Sequence, residues 1–369
     1  MVYIDDILKT AIDREASDVH LVRKLKPMLR INRELIKLEE YDELTDEDIF
    51  DIYRHFVSND EVDETFKKEK RLDVNYEIYN MRLRVNVSLS NGYPVYTIRI
   101  IKKELPVFRN LNIPDIIRKI ALSPQGMLLV TGKSNTGKST TLNALVNEIN
   151  HTANKKILML ENPVEYMHLP DKSLIIQKEV GKGRDCPSFG IGATNALRED
   201  CDILVLGEIR DRETMDAAIE MAESGHLVIG TMHTRSCSET IDRIISFYDP
   251  NEQTTIKYMI SSVLKAVISQ RLLNGTTNGN LVMIPEIMIV DEVVAYFLRK
   301  EKFNKNDLED AIQTRLSKGS LSLINALAYA VIKEKITLDT AMLQMDDEDK
   351  ERLLRTIRKF DGKELNYFN

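Results

Sequence analysis

The sequence predicts an α/β protein in which an amino-terminal α+β domain precedes a mostly parallel sheet and a helical carboxyl-terminal region. Before residue 105, helical periodicity is mixed with segments that alternate apolar and polar residues, as half-buried antiparallel strands do. Further along, short apolar runs are separated by helical patterns and glycine-rich turns, which is typical of parallel strands buried on both faces. We predict a first domain over residues 1–105, a linker over 106–113, a second domain over 114–290 and a helical region over 291–369.

The first domain is predicted to begin with a helix, because YIDDILKTAIDRE places apolar residues on one face. The residues of that face are Ile4, Ile7, Leu8, Ala11 and Ile12. A second helix is predicted over LTDEDIFDIYRHFV, where Thr45 and Asp48 have the spacing of a capping box. Short strands are predicted between these helices, and three antiparallel strands after them, over RLDVNYEIY, MRLRVNVSLS and YPVYTIRII.

The segment 106–113 is predicted to be a linker, because it lacks strong periodicity and is bracketed by Pro106 and Pro114. Five buried strands are predicted after it, over GMLLVTG, KILMLE, SLIIQ, DILVLGE and HLVIGTMH. From residue 291 onward, five segments have a helical pattern, namely DEVVAYFLRKEKF, KNDLEDAIQTRLS, SLINALAYAVIKEK, TLDTAMLQM and DKERLLRTIRKF.

Composition and charge narrow the classes of function. Of the 369 residues, 43% are hydrophobic and 30% charged, which is ordinary for a globular protein. A net charge of −7 does not favour a nucleic-acid partner, and three cysteines without a CxxC pair argue against a disulfide framework or a four-thiolate zinc site. No signal-peptide core and no run of membrane-spanning length is found, so we expect a cytoplasmic protein that meets a membrane only through a partner.

The strongest motif is a phosphate-binding loop that fits G-x-x-x-x-G-K-[ST] and lies between a predicted strand and a predicted helix. Backbone N–H groups of such a loop, together with the helix N-terminus, converge on phosphate oxygens. Lys138 is expected to reach the β- and γ-phosphates of ATP, and the Ser139 hydroxyl to bind Mg²⁺. The predicted nucleotide-binding positions of this loop are Gly132, Lys133, Ser134, Asn135, Thr136, Gly137, Lys138, Ser139 and Thr140.

Two further apolar strands end in carboxylates. Glu208 follows DILVLG, and an acid there can hold Mg²⁺ directly or through water. Glu161 and Glu165 follow the strand ILML, and one of them could orient or deprotonate the attacking water. An ordinary capping or surface acid is the alternative for each, and proximity to a phosphate loop favours the catalytic interpretation.

Two histidines, His226 and His233, flank the predicted strand LVIGTM. They could sense the γ-phosphate, although a single histidine is more often structural. Metal binding by them is less favoured, because no cysteine or third histidine is close in sequence.

These motifs together resemble the secretion-type hexameric ATPases, most closely the branch that retracts type IV pili in twitching motility. The similarity spans nearly the whole chain and includes a histidine box and an atypical Walker B segment. The matching segments are ASDVHL, LRVNV, LVTGKSNTGKSTT, ILMLENPVEYMH, LREDCDILVLGEIRDRET, AESGHLVIGTMHT and LKAVISQRLL. This resemblance implies a PAS-like amino-terminal domain and a RecA-like ATPase domain.

The resemblance also implies roles for single residues. Lys138 and Ser139 match the residues that bind phosphate and Mg²⁺, and Glu208 matches the Walker B acid. Glu165 matches the proposed catalytic glutamate. The two histidines match the histidine box, from which we count His226 and His233 as catalytic candidates. Arginines of the last amino-terminal strands are implied to reach the nucleotide, and Arg84 and Arg99 are the candidates, because a guanidinium binds phosphate in a bidentate manner.

The function implied is that of a homohexameric motor which hydrolyses ATP with Mg²⁺ and drives pilus retraction through a platform protein of the inner membrane. Two departures bear on this function. Asn162 stands where the related motif has aspartate, and VVAYFLRKEKF replaces the carboxyl-terminal motif of the retraction branch. Two alternatives therefore stay open: an assembly ATPase for pili, competence or type II secretion, and a non-hydrolysing paralogue that regulates a motor.

Overall fold

The chain folds into two units, Met1–Glu104 and Leu105–Asn369. They are seen in a computed structural model. The residues that it describes are 4–31, 34–57, 60–79, 81–101, 104–181, 184–277, 280–300 and 305–360.

The first unit is built on a six-stranded antiparallel sheet with the order β3-β2-β1-β6-β5-β4. Its strands are β1 (Asp18–Leu21), β2 (Met28–Ile31), β3 (Glu34–Lys37), β4 (Arg71–Ile78), β5 (Met81–Ser90) and β6 (Tyr93–Ile100). Three helices accompany the sheet: α1 (Ile4–Asp13), α2 (Asp46–Phe56) and α3 (Asp60–Glu69). The sequence patterns predicted all six strands and two of the helices but missed α3, whose mean composition is strongly polar.

The hydrogen bonds at the start of α2 explain why the spacing of Thr45 and Asp48 was sufficient to predict where this helix begins. The Thr45 side chain accepts a hydrogen bond from the Asp48 backbone N–H, and the Asp48 carboxylate accepts one from the Thr45 backbone N–H at 2.9 Å. Each group satisfies a donor that the first helical turn leaves without an intrahelical partner. The capping box predicted from the sequence is therefore present.

The second unit contains a seven-stranded sheet with the order β13-β12-β7-β11-β10-β8-β9. All neighbouring pairs are parallel except β12 and β13, which are antiparallel. The strands are β7 (Gly126–Gly132), β8 (Lys156–Glu161), β9 (Leu174–Glu179), β10 (Ile203–Leu206), β11 (Leu227–Met232), β12 (Leu264–Asn274) and β13 (Leu281–Ile289). The five predicted strands are β7 to β11, and the antiparallel pair was not predicted.

Both faces of this sheet are covered, which explains the continuous apolar runs of its strands. Along β7, Met127 and Leu129 pack into one hydrophobic cluster, while Leu128 and Val130 pack into the other. The helices of the sheet region are α4 (Asp115–Ala121), α5 (Lys138–Thr152), α6 (Phe189–Ala196), α7 (Arg212–Glu223), α8 (Cys237–Ile245) and α9 (Gln253–Val263).

The carboxyl-terminal helices complete the same two clusters. The bounds of these helices are α10 (Glu292–Arg299), α11 (Lys305–Thr314), α12 (Leu323–Ile332), α13 (Leu338–Met342) and α14 (Asp347–Phe360). Val294 of α10 and Leu308 of α11 lie in the first cluster, which is the one that contains Met127. Leu327 of α12 and Leu353 of α14 lie in the second cluster, which contains Leu128. The helical region is thus part of the second unit's core.

The segment 106–113, interpreted from the sequence as a linker, is packed against the second unit. Phe108 and Ile113 are buried in the second hydrophobic cluster, and the Asn147 amide of α5 donates to the Pro106 carbonyl oxygen at 3.4 Å. Within the described ranges, no helix has both the length and the apolar character needed to cross a bilayer.

The three cysteines of the chain, Cys186, Cys201 and Cys237, are all buried as free thiols. Burial raises the pKa of Cys201 to about 11 and raises the pKa of Cys237 as well. A thiol reacts as the thiolate, so these side chains act as small apolar groups of the core.

Candidate functional site

The turn from β7 into α5 forms a tight loop around Gly132. A Cβ atom added to this glycine would lie 2.4 Å from the Thr136 hydroxyl and 2.7 Å from the Gln270 carbonyl oxygen, and the residue has a φ of +150°. Asn135 has a φ of +62°, a left-handed conformation that asparagine tolerates better than most residues. The unusual first half of the loop therefore suits its backbone, and the side chains of Lys133, Ser134 and Asn135 are exposed.

Lys138 lies at the centre of this loop and is only 9% exposed. Its ammonium group donates hydrogen bonds to the carbonyl oxygens of Gly132, at 3.0 Å, and of Lys133, at 2.9 Å. Burial lowers the pKa of Lys138, and the nearby carboxylates of Glu208 and Glu165 oppose that shift. The cation is thus held inside the loop, within electrostatic range of both predicted acids.

The close contacts around Gly132 lead to a first prediction. In Gly132→Ala, the added methyl group must displace Thr136 or the β12 backbone, so we expect the free energy of unfolding to fall by about 1–3 kcal/mol. We also expect weaker binding of a fluorescent ATP analogue, since the loop backbone has to move. Urea unfolding and a fluorescence titration measure the two effects.

Gly92, in the turn between β5 and β6, provides the matched control. It has a φ of +82° and no atom within 4 Å of an added Cβ, so Gly92→Ala carries the backbone strain, roughly 1–2 kcal/mol, without the clash. ATP binding should be unchanged in this control. Unchanged ATP binding in Gly132→Ala would show that the loop tolerates the methyl group.

Glu208 lies just beyond β10, at the carboxyl edge of the sheet, and its carboxylate contacts the side chains of Arg210 and His233. The Arg210 guanidinium bonds to both of its carboxylate oxygens, and the His233 ring Nε2 lies 3.2 Å from Oε1. The carboxylate raises the pKa of Arg210. Glu208 and His233 therefore form one cluster next to the phosphate loop.

Glu165 belongs to the segment that joins β8 to β9, and its side chain is exposed. We call residues 162–168 the acid loop. Tyr166 of this loop places its hydroxyl 3.5 Å from the Thr140 hydroxyl of α5, one residue after Ser139. The acid loop thus lies alongside the first turn of the helix that follows the phosphate loop.

The donors present suit Mg²⁺. The Ser139 hydroxyl in the first turn of α5 and the Glu208 carboxylate lie on the same carboxyl edge, beside the buried Lys138. Mg²⁺ prefers hard oxygen ligands and uses few protein groups, with substrate phosphates and water supplying the others. A hydroxyl and a carboxylate are a sufficient protein contribution.

The chain matches one known protein family over nearly its whole length. The model of the family "Type II/IV secretion system protein" matches residues 1–361. The chain belongs to this family. It is 33% identical to the twitching motility protein of Neisseria gonorrhoeae, over 91% of this chain and 88% of that protein. It is also 33% identical to the type IV pilus retractation ATPase PilT of Pseudomonas aeruginosa, over 92% of this chain and 96% of PilT.

A solved structure of the pilus retraction motor PilT with bound ADP is similar over the whole fold. The TM-score is 0.87 at 31% identity, with 95% of this chain and 100% of that chain covered. The predicted family and fold class of this type II/IV secretion system protein are therefore confirmed.

One predicted site residue of this family member lies elsewhere. His226 precedes β11 and pairs with the start of β7, because the Gly126 N–H donates to its carbonyl oxygen at 3.0 Å. The phosphate loop follows the other end of β7, roughly 20 Å away at about 3.3 Å per residue. The His226 ring and backbone N–H both face the Met221 carbonyl and close the end of α7. These contacts give His226 a structural role at this end of the sheet and do not support its predicted catalytic role, which stays a prediction.

Arg84 and Arg99 are directly opposite each other on β5 and β6. Each has an acidic neighbour: Arg84 Nε is 3.5 Å from Asp73, and Arg99 Nε is 3.0 Å from Asp18. The first unit therefore presents two guanidinium groups side by side. Their contact with nucleotide stays a prediction.

The sequence analysis missed several polar residues that support the site. Arg210 holds Glu208, and the Gln270 amide donates to the Thr141 hydroxyl of α5 at 2.6 Å. Three more were missed: His168 lies on the acid loop, Asn143 on α5 and Gln177 on β9. Arg210 follows Glu208 closely enough to have been found, whereas the others are far from the motifs they contact.

Proposed function

We propose that this chain is the ATP-hydrolysing motor that drives retraction of type IV pili, with Mg²⁺ as cofactor. The observation that carries the proposal is the buried Lys138, held by the phosphate-loop carbonyls and within electrostatic range of Glu208 and Glu165. Two relatives at 33% identity bear the names of a twitching motility protein and a pilus retraction ATPase. The predicted ATPase class agrees with these names and with the ADP bound to PilT in its solved structure.

The residues divide the chemistry between them. Backbone N–H groups of the phosphate loop and the Lys138 ammonium bind the phosphates, and Ser139 and Glu208 hold Mg²⁺. When bound, Mg²⁺ neutralises charge on the phosphate oxygens. Glu165 accepts a proton from the attacking water, whose oxygen bonds to the γ-phosphorus as the bond to the β,γ-bridging oxygen breaks. His233 and Arg210 keep the Glu208 carboxylate in place.

The mechanical part of the proposal concerns assembly. We place the chain in a homohexamer at the cytoplasmic face of the inner membrane, where it acts on a membrane-embedded platform protein of the pilus. Association with the membrane is peripheral and passes through that partner. Hydrolysis in successive subunits moves rigid parts of the ring and turns the platform.

Deleting the gene tests whether the motor retracts pili or assembles them. A strain without this chain should carry excess surface pili and lose twitching, because polymerised pili are no longer withdrawn. Pilus staining by electron microscopy and a surface-motility assay measure the two traits, and the gene supplied in trans is the control. Bald cells would instead assign the chain to pilus assembly. A purified wild-type hexamer without ATP turnover would assign it to the non-hydrolysing regulators.

A further inference from the structure

The Gln177 amide of β9 bonds to the acid loop at two points and to the last residue of β8 at a third. Its Nε2 group donates to the Glu161 carboxylate at 2.9 Å and to the Tyr166 carbonyl oxygen at 2.8 Å. Its Oε1 atom accepts from the His168 backbone N–H at 2.9 Å. Two of these bonds hold the backbone that directly follows Glu165, and the third holds the Glu161 side chain before it.

A second chain of hydrogen bonds ties the same loop to α5. The Asn143 Nδ2 group donates to the Ser139 carbonyl oxygen at 2.9 Å, and the Asn143 Oδ1 atom lies 2.7 Å from the His168 Nε2 atom. Because a carbonyl can only accept, the Asn143 amide must point its NH₂ group at Ser139 and its oxygen at the histidine. An amide oxygen can only accept as well, so His168 must carry its proton on Nε2.

Burial protects this connection from solvent. Asn143 is fully buried, and His168 is 5% exposed. Burial also lowers the pKa of His168 to about 4, so the ring is neutral at neutral pH. The ring is therefore a fixed neutral donor with one tautomer, and it adds no charge beside the phosphate site. Buried hydrogen bonds of this kind are costly to leave unmade.

We propose that Asn143, His168 and Gln177 are positioning residues that hold the Glu165 carboxylate in register with Ser139 for proton transfer. The inference rests on the proposed role of Glu165 as the base. The Glu165 side chain itself is exposed, so its placement depends on the backbone that carries it. The two bond networks supply that constraint from two elements, the strand β9 and the helix that presents Ser139, and both hold the loop just after Glu165.

The proposal has a kinetic consequence. A catalytic group that moves by about 1 Å can lower turnover by on the order of 100-fold without touching substrate binding. The positioning residues bond to the acid loop and to the Ser139 backbone, while the phosphates are bound by the loop N–H groups and Lys138. Disturbing them should therefore lower kcat and leave KM nearly unchanged.

The test compares His168→Leu with His168→Gln in the full-length assembled protein. Leucine removes the donor to Asn143, and kcat for ATP should fall about 10- to 100-fold with KM within about twofold. Glutamine places an N–H group near the former Nε2 position and should restore much of kcat. His151→Leu is the matched control, because His151 is exposed at the far end of α5 and pairs with Asp171. It should leave kcat unchanged.

A double variant separates this inference from the proposed function. In the Glu165→Gln background, His168→Leu should lower the residual turnover by less than about twofold, since both changes act on one step. An equal loss in both backgrounds, or a loss confined to KM, overturns the positioning role. Full turnover in Glu165→Gln alone overturns the base assignment instead. If thermal unfolding shows that His168→Leu does not fold, Gln177→Met removes the bonds from the β9 side and is read by the same criteria.

Discussion

Lys138→Ala should abolish ATP turnover, with kcat/KM lowered by at least on the order of 10²–10³. The ammonium is buried among the phosphate-loop carbonyls, so removing it leaves the phosphates without their principal side-chain cation. Binding should weaken together with turnover. A phosphate-release assay and a titration with a fluorescent ATP analogue measure the two losses.

Lys119→Ala is the matched control for that variant. Lys119 is an exposed lysine of α4 whose ammonium lies 3.7 Å from Asp115, so its removal should change turnover by less than about twofold. Turnover retained in Lys138→Ala would contradict the proposed phosphate site, since this loop would then not be where ATP is cleaved.

Glu165→Gln should separate binding from hydrolysis. The amide has nearly the shape of the carboxylate but cannot take a proton from water, so we expect kcat to fall by about 10²–10⁴. Nucleotide affinity should be retained, because the loop N–H groups and Lys138 are intact. Rapid quenching of a single turnover should then recover the bound nucleotide as ATP, where the wild-type protein yields ADP.

The same substitution at Glu223 is the control, because this exposed residue ends α7 at the opposite edge of the sheet. Glu223→Gln should hydrolyse ATP at the wild-type rate. If Glu165→Gln also does so, the base must be sought among the other acids at the carboxyl edge, Glu161 and Glu208.

The phosphate loop and the five parallel strands β7 to β11 were predictable because each is specified by a short contiguous pattern. Gly132, Lys138 and Ser139 lie within eight positions, and the apolar strands carry their burial in their own composition. The antiparallel pair β12 and β13 was missed. The strand β13 contains Pro285, which lacks a backbone N–H and is tolerated because β13 is an edge strand.

A site residue could be predicted only where the sequence also shows which end of its strand lies next to the phosphate loop. His226 and His233 flank β11 symmetrically in the sequence, but parallel strands place only the carboxyl end next to the phosphate loop. The positioning residues pose a different difficulty. Asn143 and His168 are 25 positions apart, on separate elements, and meet only after the sheet has assembled. No local pattern carries that contact.

The buried cysteines make the chain a convenient host for spectroscopic labels. All three native thiols are enclosed in the core, and burial disfavours the thiolate of Cys201 and Cys237. A single cysteine introduced at the exposed Met167, beside Glu165, would be the most accessible thiol for a maleimide dye. The acid loop can thus be followed by fluorescence in working motors without first removing the natural cysteines.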